Sequence, residues 1–184
     1  MISRQEALVL LKKYLREEEN IRYSFAVEAI MREIAIQLDK DEELWGVTGL
    51  LHNLDYEYTI REPEKRGNLT SQLIAGILPE KIVNAIKAIN YMHTDYIPTT
   101  TLDKMLIASE TVVGLIMAIA RSIPSQKISD IDLELLITKY KDSEFAARYN
   151  RSRIQLCTDA EMEISSFLNL SLNTLKNISD DLGL

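Results

Sequence analysis

Met105–Ala120 reads MLIASETVVGLIMAIA, sixteen residues in which Glu110 is the one charged side chain. Its apolar residues cover nearly every face of a helix, and a helix apolar all round is a buried one. The longest uninterrupted apolar run, Val112 to Ala120, is far short of a membrane span. Leu106, Val113, Gly114 and Met117 share the face of Glu110 at helical spacing. An unpaired carboxylate in such a helix is costly. Glu110 therefore requires a cation, a strong donor or a proton of its own, and an internal salt bridge is the ordinary answer.

The same helical period runs outward in both directions. Only four prolines and six glycines interrupt the chain, and the i, i+3, i+4 spacing dominates. Ser3 with Glu6 forms a capping-box pattern that predicts a helix to about Arg16. A second is predicted from near Asn20, with Tyr23, Val27, Ile30 and Ile34 as its stripe, and a third from about Asp41 to 52. Pro63 and Gly67 mark 53–68 as a loop. Further helices are predicted over 69–77, 79–92, 101–121, 130–140, 144–159 and 161–182, with Gly183 as the stop. Nothing alternates with period two for long enough to make a strand. The fold class is all-α, in one domain: a core over about 1–121 and a C-terminal helical extension over about 129–184, joined through Pro124 and the polar PSQKISD stretch.

The formal charge of -7 and pI of about 5.0 lack the basic footprint that phosphate-backbone binding needs, so nucleic acid is not an expected partner. Cys157 alone excludes an intrachain disulfide and a Cys-rich zinc site. The opening MISRQEALVL carries Arg4 and Glu6 and reads as no signal peptide. A cytoplasmic protein without a membrane partner is the expectation. The apolar segments 105–120 and 161–182 are also compatible with a homodimer, since periodicity does not separate an interface from a core.

The chain has two histidines. His52 shares a helix face with Trp45 and Gly49. Gly46 and Gly49 each cost a helix interior about 1 kcal/mol relative to Ala, which points to close approach of another helix or of a ligand. On spacing alone, tight packing with His52 as a core or rim histidine is favoured over a site. His93 continues the stripe of Ile82, Ile86 and Ile89, and a histidine at a helix end needs no function to explain it.

The segment LLHNLDYE, Leu50–Glu57, resembles the HD-bearing segment of the HD-domain metal-dependent phosphohydrolases, in their small stand-alone branch. IRYSFAVEAIM, PEKRGNLTSQLI, IVNAIKAINY, MLIASETVVGLI and KYKDSEFAARYNR resemble the flanking segments of that family in order, so the likeness runs through essentially the whole chain. It implies a helical bundle whose histidines and aspartates converge on one or two divalent ions (of the Mn, Mg or Fe type). Such an ion activates water for attack on a phosphate ester, often of a nucleotide.

Residue by residue, most implied ligands are changed. The first histidine falls on Tyr23, the HD pair on His52 and Asn53, the next histidine on Arg66, another on Ile89, and the closing aspartate on Glu110. Asn is a much weaker ligand for a hard cation than Asp, Ile donates nothing, and an inward Arg66 places a permanent charge where a cation belongs. A phenol ligates only a metal already strongly held. Two ligands do not hold a catalytic ion as three plus water do.

Two expectations follow. The first is a pseudo-enzyme, in which Tyr23, His52, Asn53, Arg66 and Glu110 form a metal-free polar pocket. Arg66 pairs with Glu110, and the pocket either takes a phosphate-bearing small molecule or closes and leaves a protein contact as the function. The second is an active phosphohydrolase with a rearranged site, in which His52 and Asp55 are the catalytic candidates and His52, His93 and Glu110 hold the metal. Asp55 and Glu57 then sit near the pocket mouth, although a solvated loop carboxylate is the simpler reading of Glu57.

Overall fold

The computed structural model describes residues 2–183, and among them there is no strand. The all-α expectation holds, and the local signals explain the helix starts. In α1 (Arg4–Tyr14) the Glu6 amide donates to the Ser3 hydroxyl at 3.3 Å, while the Ser3 amide donates to the Glu6 carboxylate at 2.8 Å. After α2 (Glu18–Gln37), Asp41 accepts from the Leu44 amide at 2.9 Å and opens α3 (Glu42–Leu51). Thr100 and Asp103 form a second capping box at the head of α7 (Thr101–Ser122).

The 53–68 segment is not all loop. It contains α4 (Tyr56–Thr59) and a single 3-10 turn, Pro63–Lys65, before α5 (Asn68–Ile74). Next, α6 (Glu80–Ala88) stops short of the expected residue 92. The Asn90 amide donates to the carbonyls of Pro63, Glu64 and Arg66 at 3.0–3.2 Å, and the Thr94 hydroxyl donates to Lys87 O at 2.8 Å. These bonds hold the chain in a turn where the sequence period alone would continue the helix.

The expected 144–159 helix is the largest departure. After α8 (Leu133–Lys141) the chain winds irregularly to α9 (Arg151–Gln155). The cause is Arg151, whose guanidinium donates to the carbonyls of Lys139, Tyr140, Asp142, Phe145, Ala146 and Tyr149 at 2.6–3.2 Å. A guanidinium with five fixed N–H donors suits such a knot of carbonyls. Finally α10 (Ile164–Asn177) and the short α11 (Ser179–Leu182) divide the last predicted helix, and Gly183 at φ +67° ends it.

The middle of the fold is α7, which packs on α2, α6, α9 and α10. By length and composition it is apolar enough to cross a membrane, yet 78% of its most apolar window is buried among the other helices, as befits a core helix. The C-terminal helices share that core: Phe167, Leu168, Leu172 and Leu175 of α10 are buried in one cluster with Val27, Ile30 and Val113. Both apolar segments that suggested a dimer are therefore occupied within the chain.

The closest helix pair is α2 with α3, and it accounts for both glycines. A Cβ at Gly49 would lie 2.9 Å from Glu28 Cα and Val27 O, and backbone cannot yield. A Cβ at Gly46 would meet the Arg32 guanidinium at 2.6 Å. Arg32 crosses there to reach Glu28, Glu42 and Glu43 at 3.1, 3.0 and 2.7 Å. Helix contact, not ligand contact, is thus the reason for these residues. Gly49→Ala is expected to destabilise by about 1–3 kcal/mol through overpacking, less any gain in helix propensity. Urea denaturation checks it, and an unchanged midpoint contradicts it.

Candidate functional site

Glu110 sits midway along α7 with both carboxylate oxygens engaged. Oε1 accepts from Arg66 Nη2 at 2.8 Å and Oε2 from Arg153 Nη2 at 3.2 Å. The arginines come from segments far apart in the chain. Arg66 ends the turn before α5, where Gly67 takes φ +81° against Ile86 O and leaves no room for a side chain. Arg153 belongs to α9 and also donates to Ile89 O at 2.8 Å and to the Thr111 hydroxyl at 3.1 Å. Burial pushes the Glu110 carboxyl up, but Arg66 and Arg153, with His52 behind them, outweigh it and hold the group at about 2.

Around this ion triad lie the residues of the HNLD segment. The Tyr23 hydroxyl donates to the Glu110 backbone carbonyl. His52 is fully buried, its ring 6.2 Å from that of Tyr23. Its Nδ1 lies 2.6 Å from Gly49 O; since a carbonyl only accepts, the proton is on Nδ1. Nε2 then carries a lone pair that meets no donor among the described residues. Burial lowers the His52 pKa to about 4, against a smaller upward pull from Glu110. His52 is accordingly neutral at pH 7, and its NMR titration is expected to show no transition above about pH 5. A midpoint near 6.5 contradicts this environment.

Asp55 is not at the pocket mouth. It is fully buried, and its Oδ2 accepts from the amides of Gly67 and Thr70 at 2.8 and 2.9 Å. It caps α5 and fixes the turn that aims Arg66, a positioning task in place of the expected catalytic one. Nor is Glu57 a free loop carboxylate: it accepts from the amides of Arg16 and Glu17 and from Asn20 Nδ2 at 2.9–3.2 Å, tying α4 to the start of α2. His93 is exposed and bonded to Asn90 at 3.0 Å. The turn that ends α6 carries it off the line of Ile82, Ile86 and Ile89, so it does not join His52 and Glu110. Among the described residues no three His, Cys, Asp or Glu side chains form a group that could hold a metal ion.

Tyr23, Asn53, Arg66 and Glu110 do line one cleft, of about 670 Å³, together with residues the sequence did not single out. Arg153, Arg121, Arg148 and Tyr149 are the important additions. Arg148 stacks on the Tyr149 ring at 4.8 Å and Arg66 on the Tyr56 ring at 5.5 Å. The Tyr149 ring lies against α7 where Gly114 has no side chain; a Cβ there would fall 2.0 Å from it. No local signal marks Arg153, Arg148 or Tyr149, because each reaches the cleft from a segment some forty residues beyond Glu110.

Four arginines face two glutamates, Glu19 and Glu110, in a cleft belonging to a chain of net charge -7. That local excess of fixed positive charge favours an oxyanion. It does not favour a divalent cation. Both oxygens of Glu110 are taken by guanidinium groups, Asn53 is neutral, and His52 offers one nitrogen, so the residues present do not fit a metal of the HD type. Compared with family models, with curated proteins and with solved structures, the chain gives no match.

Proposed function

We propose that this protein is a cytoplasmic pseudo-enzyme built on an HD-like bundle, in which the metal site has become a metal-free pocket for a phosphate-bearing small molecule. The observation that carries the reading is the paired approach of Arg66 and Arg153 to Glu110, at the position the resemblance assigns to the closing metal carboxylate. A cation is replaced there by two guanidinium groups, and the carboxylate keeps a positive partner without an ion. Arg121 and Arg148 extend the positive surface outward, and Asn53 lines its wall. The volume suits a small ligand.

The test combines three measurements on protein purified without chelator: metal content, hydrolysis of nucleotides and phosphomonoesters with added manganese, and calorimetric binding of orthophosphate and simple phosphomonoesters. The expected result is no stoichiometric metal, no hydrolysis, and phosphomonoester binding that weakens about tenfold or more in Arg153→Met. Metal lost on His52→Ala together with manganese-dependent hydrolysis sinks the proposal, as does the absence of any phosphomonoester binding.

A further inference from the structure

The floor of the cleft is a single stripe of α7. Glu110, Gly114, Met117 and Arg121 recur at i, i+4, i+7 and i+11, one face of a helix. Beyond Met117 a second cavity, of about 210 Å³, opens beside Arg22 and the C-terminal turn at Leu182 and Gly183. Glu19, Met117 and Arg121 line both cavities, so the two adjoin along the helix at the Glu19–Arg121 ion pair.

This groove carries arginines at each end, with Glu110 beside the inner pair and Glu19 beside Arg121. At the inner end stand Arg66 and Arg153. At the outer end stand Arg121 from α7 and Arg22 from α2. Met117 and the Tyr149 ring lie in the middle. The ends are separated by eleven residues of α7, about 16 Å along its axis.

The outer arginines are also loosely held. Arg121 pairs with Glu19, whose side chain is 71% exposed, and Arg22 with Glu18, which is 81% exposed. Such ion pairs are screened by water and weak, so both guanidinium groups are open to a competing anion.

Resting on the phosphate-binding reading above, we propose that the groove takes an elongated ligand with an anionic group at each end. A phosphate meets Arg66 and Arg153, a second phosphate or a carboxylate meets Arg121 and Arg22, and an apolar or flat spacer crosses Met117. Two linked anions gain over one because the second contact is intramolecular, and the gain is greatest when the spacer matches the span.

The probes are alkylphosphonates and α,ω-alkane bisphosphonates of increasing chain length, measured by calorimetry on the full chain. Long bisphosphonates are expected to bind about tenfold or more tighter than monophosphonates of equal chain length, and short ones are not. Arg121→Met and Arg22→Met each reduce that gain, and Arg22→Met leaves monophosphonate affinity within about twofold, because Arg22 lines the outer cavity and not the cleft. Both side chains are partly exposed, and an unchanged melting temperature verifies that each variant is folded.

Monophosphonate binding with no bisphosphonate gain at any length overturns this inference alone. A gain that survives in the Arg22→Met/Arg121→Met double variant does the same. Failure of every phosphonate and phosphomonoester to bind overturns the phosphate-binding reading and this inference with it.

Discussion

Glu110→Ala is expected to lower the free energy of unfolding by about 3–5 kcal/mol, a large part of the stability of a domain this size. The loss does not measure the worth of a salt bridge. It arises because Arg66 and Arg153 are left facing one another without an anion, each about four-fifths buried at the side chain. Glu110→Gln keeps the shape and an acceptor oxygen, so its loss should be smaller, about 1.5–3 kcal/mol. Removing one cation along with the acid restores part of the stability. A Glu110→Met/Arg66→Met pair is expected to be less destabilised than the sum of its single variants, and the double-mutant cycle measures the coupling. Additivity within about 0.5 kcal/mol contradicts the geometry.

The acid limb tests the same contact by another route. The folded Glu110 carboxyl is held at about 2 against an ordinary 4.5, so the folded state favours the ionised form. Its contribution is complete above about pH 4.5 and is lost as pH falls through 2, and it amounts to at most about 3 kcal/mol. Denaturation midpoints followed from pH 5 to pH 2 should fall less steeply in Glu110→Gln than in the parent. Parallel curves rule out the depressed carboxyl.

Arg151→Met is expected to cost about 2–4 kcal/mol and to loosen residues 142–150 before the rest of the fold. Six carbonyls converge on this one guanidinium. Arg151→Lys keeps the charge but has three donors on a single nitrogen, and should behave nearer to Met than to Arg. The segment carries Arg148 and Tyr149 into the cleft, so limited proteolysis within 142–150 should rise together with weaker phosphomonoester binding. A variant that melts globally without prior cleavage there contradicts the local role.

Much of the framework was legible because it depends on near neighbours in the chain. The capping box at Ser3 is a pattern a few residues long, and the bonds it predicts are those that form. Burial of α7 followed from its composition, and the demand of Glu110 for a partner followed from the cost of an isolated buried charge. Arg66 was identified as that partner through the resemblance, and its guanidinium does reach Glu110.

The failures share a cause. His93 was placed on a core stripe by extending the period of α6, but that helix is stopped at Ala88, where the Asn90 side chain grips a segment more than twenty residues earlier. Asp55 and Glu57 looked like acids at a pocket mouth. Which backbone amides they cap depends on how α4 meets α2 and α5, a long-range matter. Arg153 was hidden inside a predicted helix that Arg151 unwinds. By itself, then, the sequence determined a helical bundle around α7 and a buried acid that had to be neutralised, since periodicity, capping and desolvation act locally. Only the tertiary structure decided that two arginines answer that acid and that the surrounding cleft is positive. Convergence of charges from distant segments is set by how helices cross, and no run of residues encodes it.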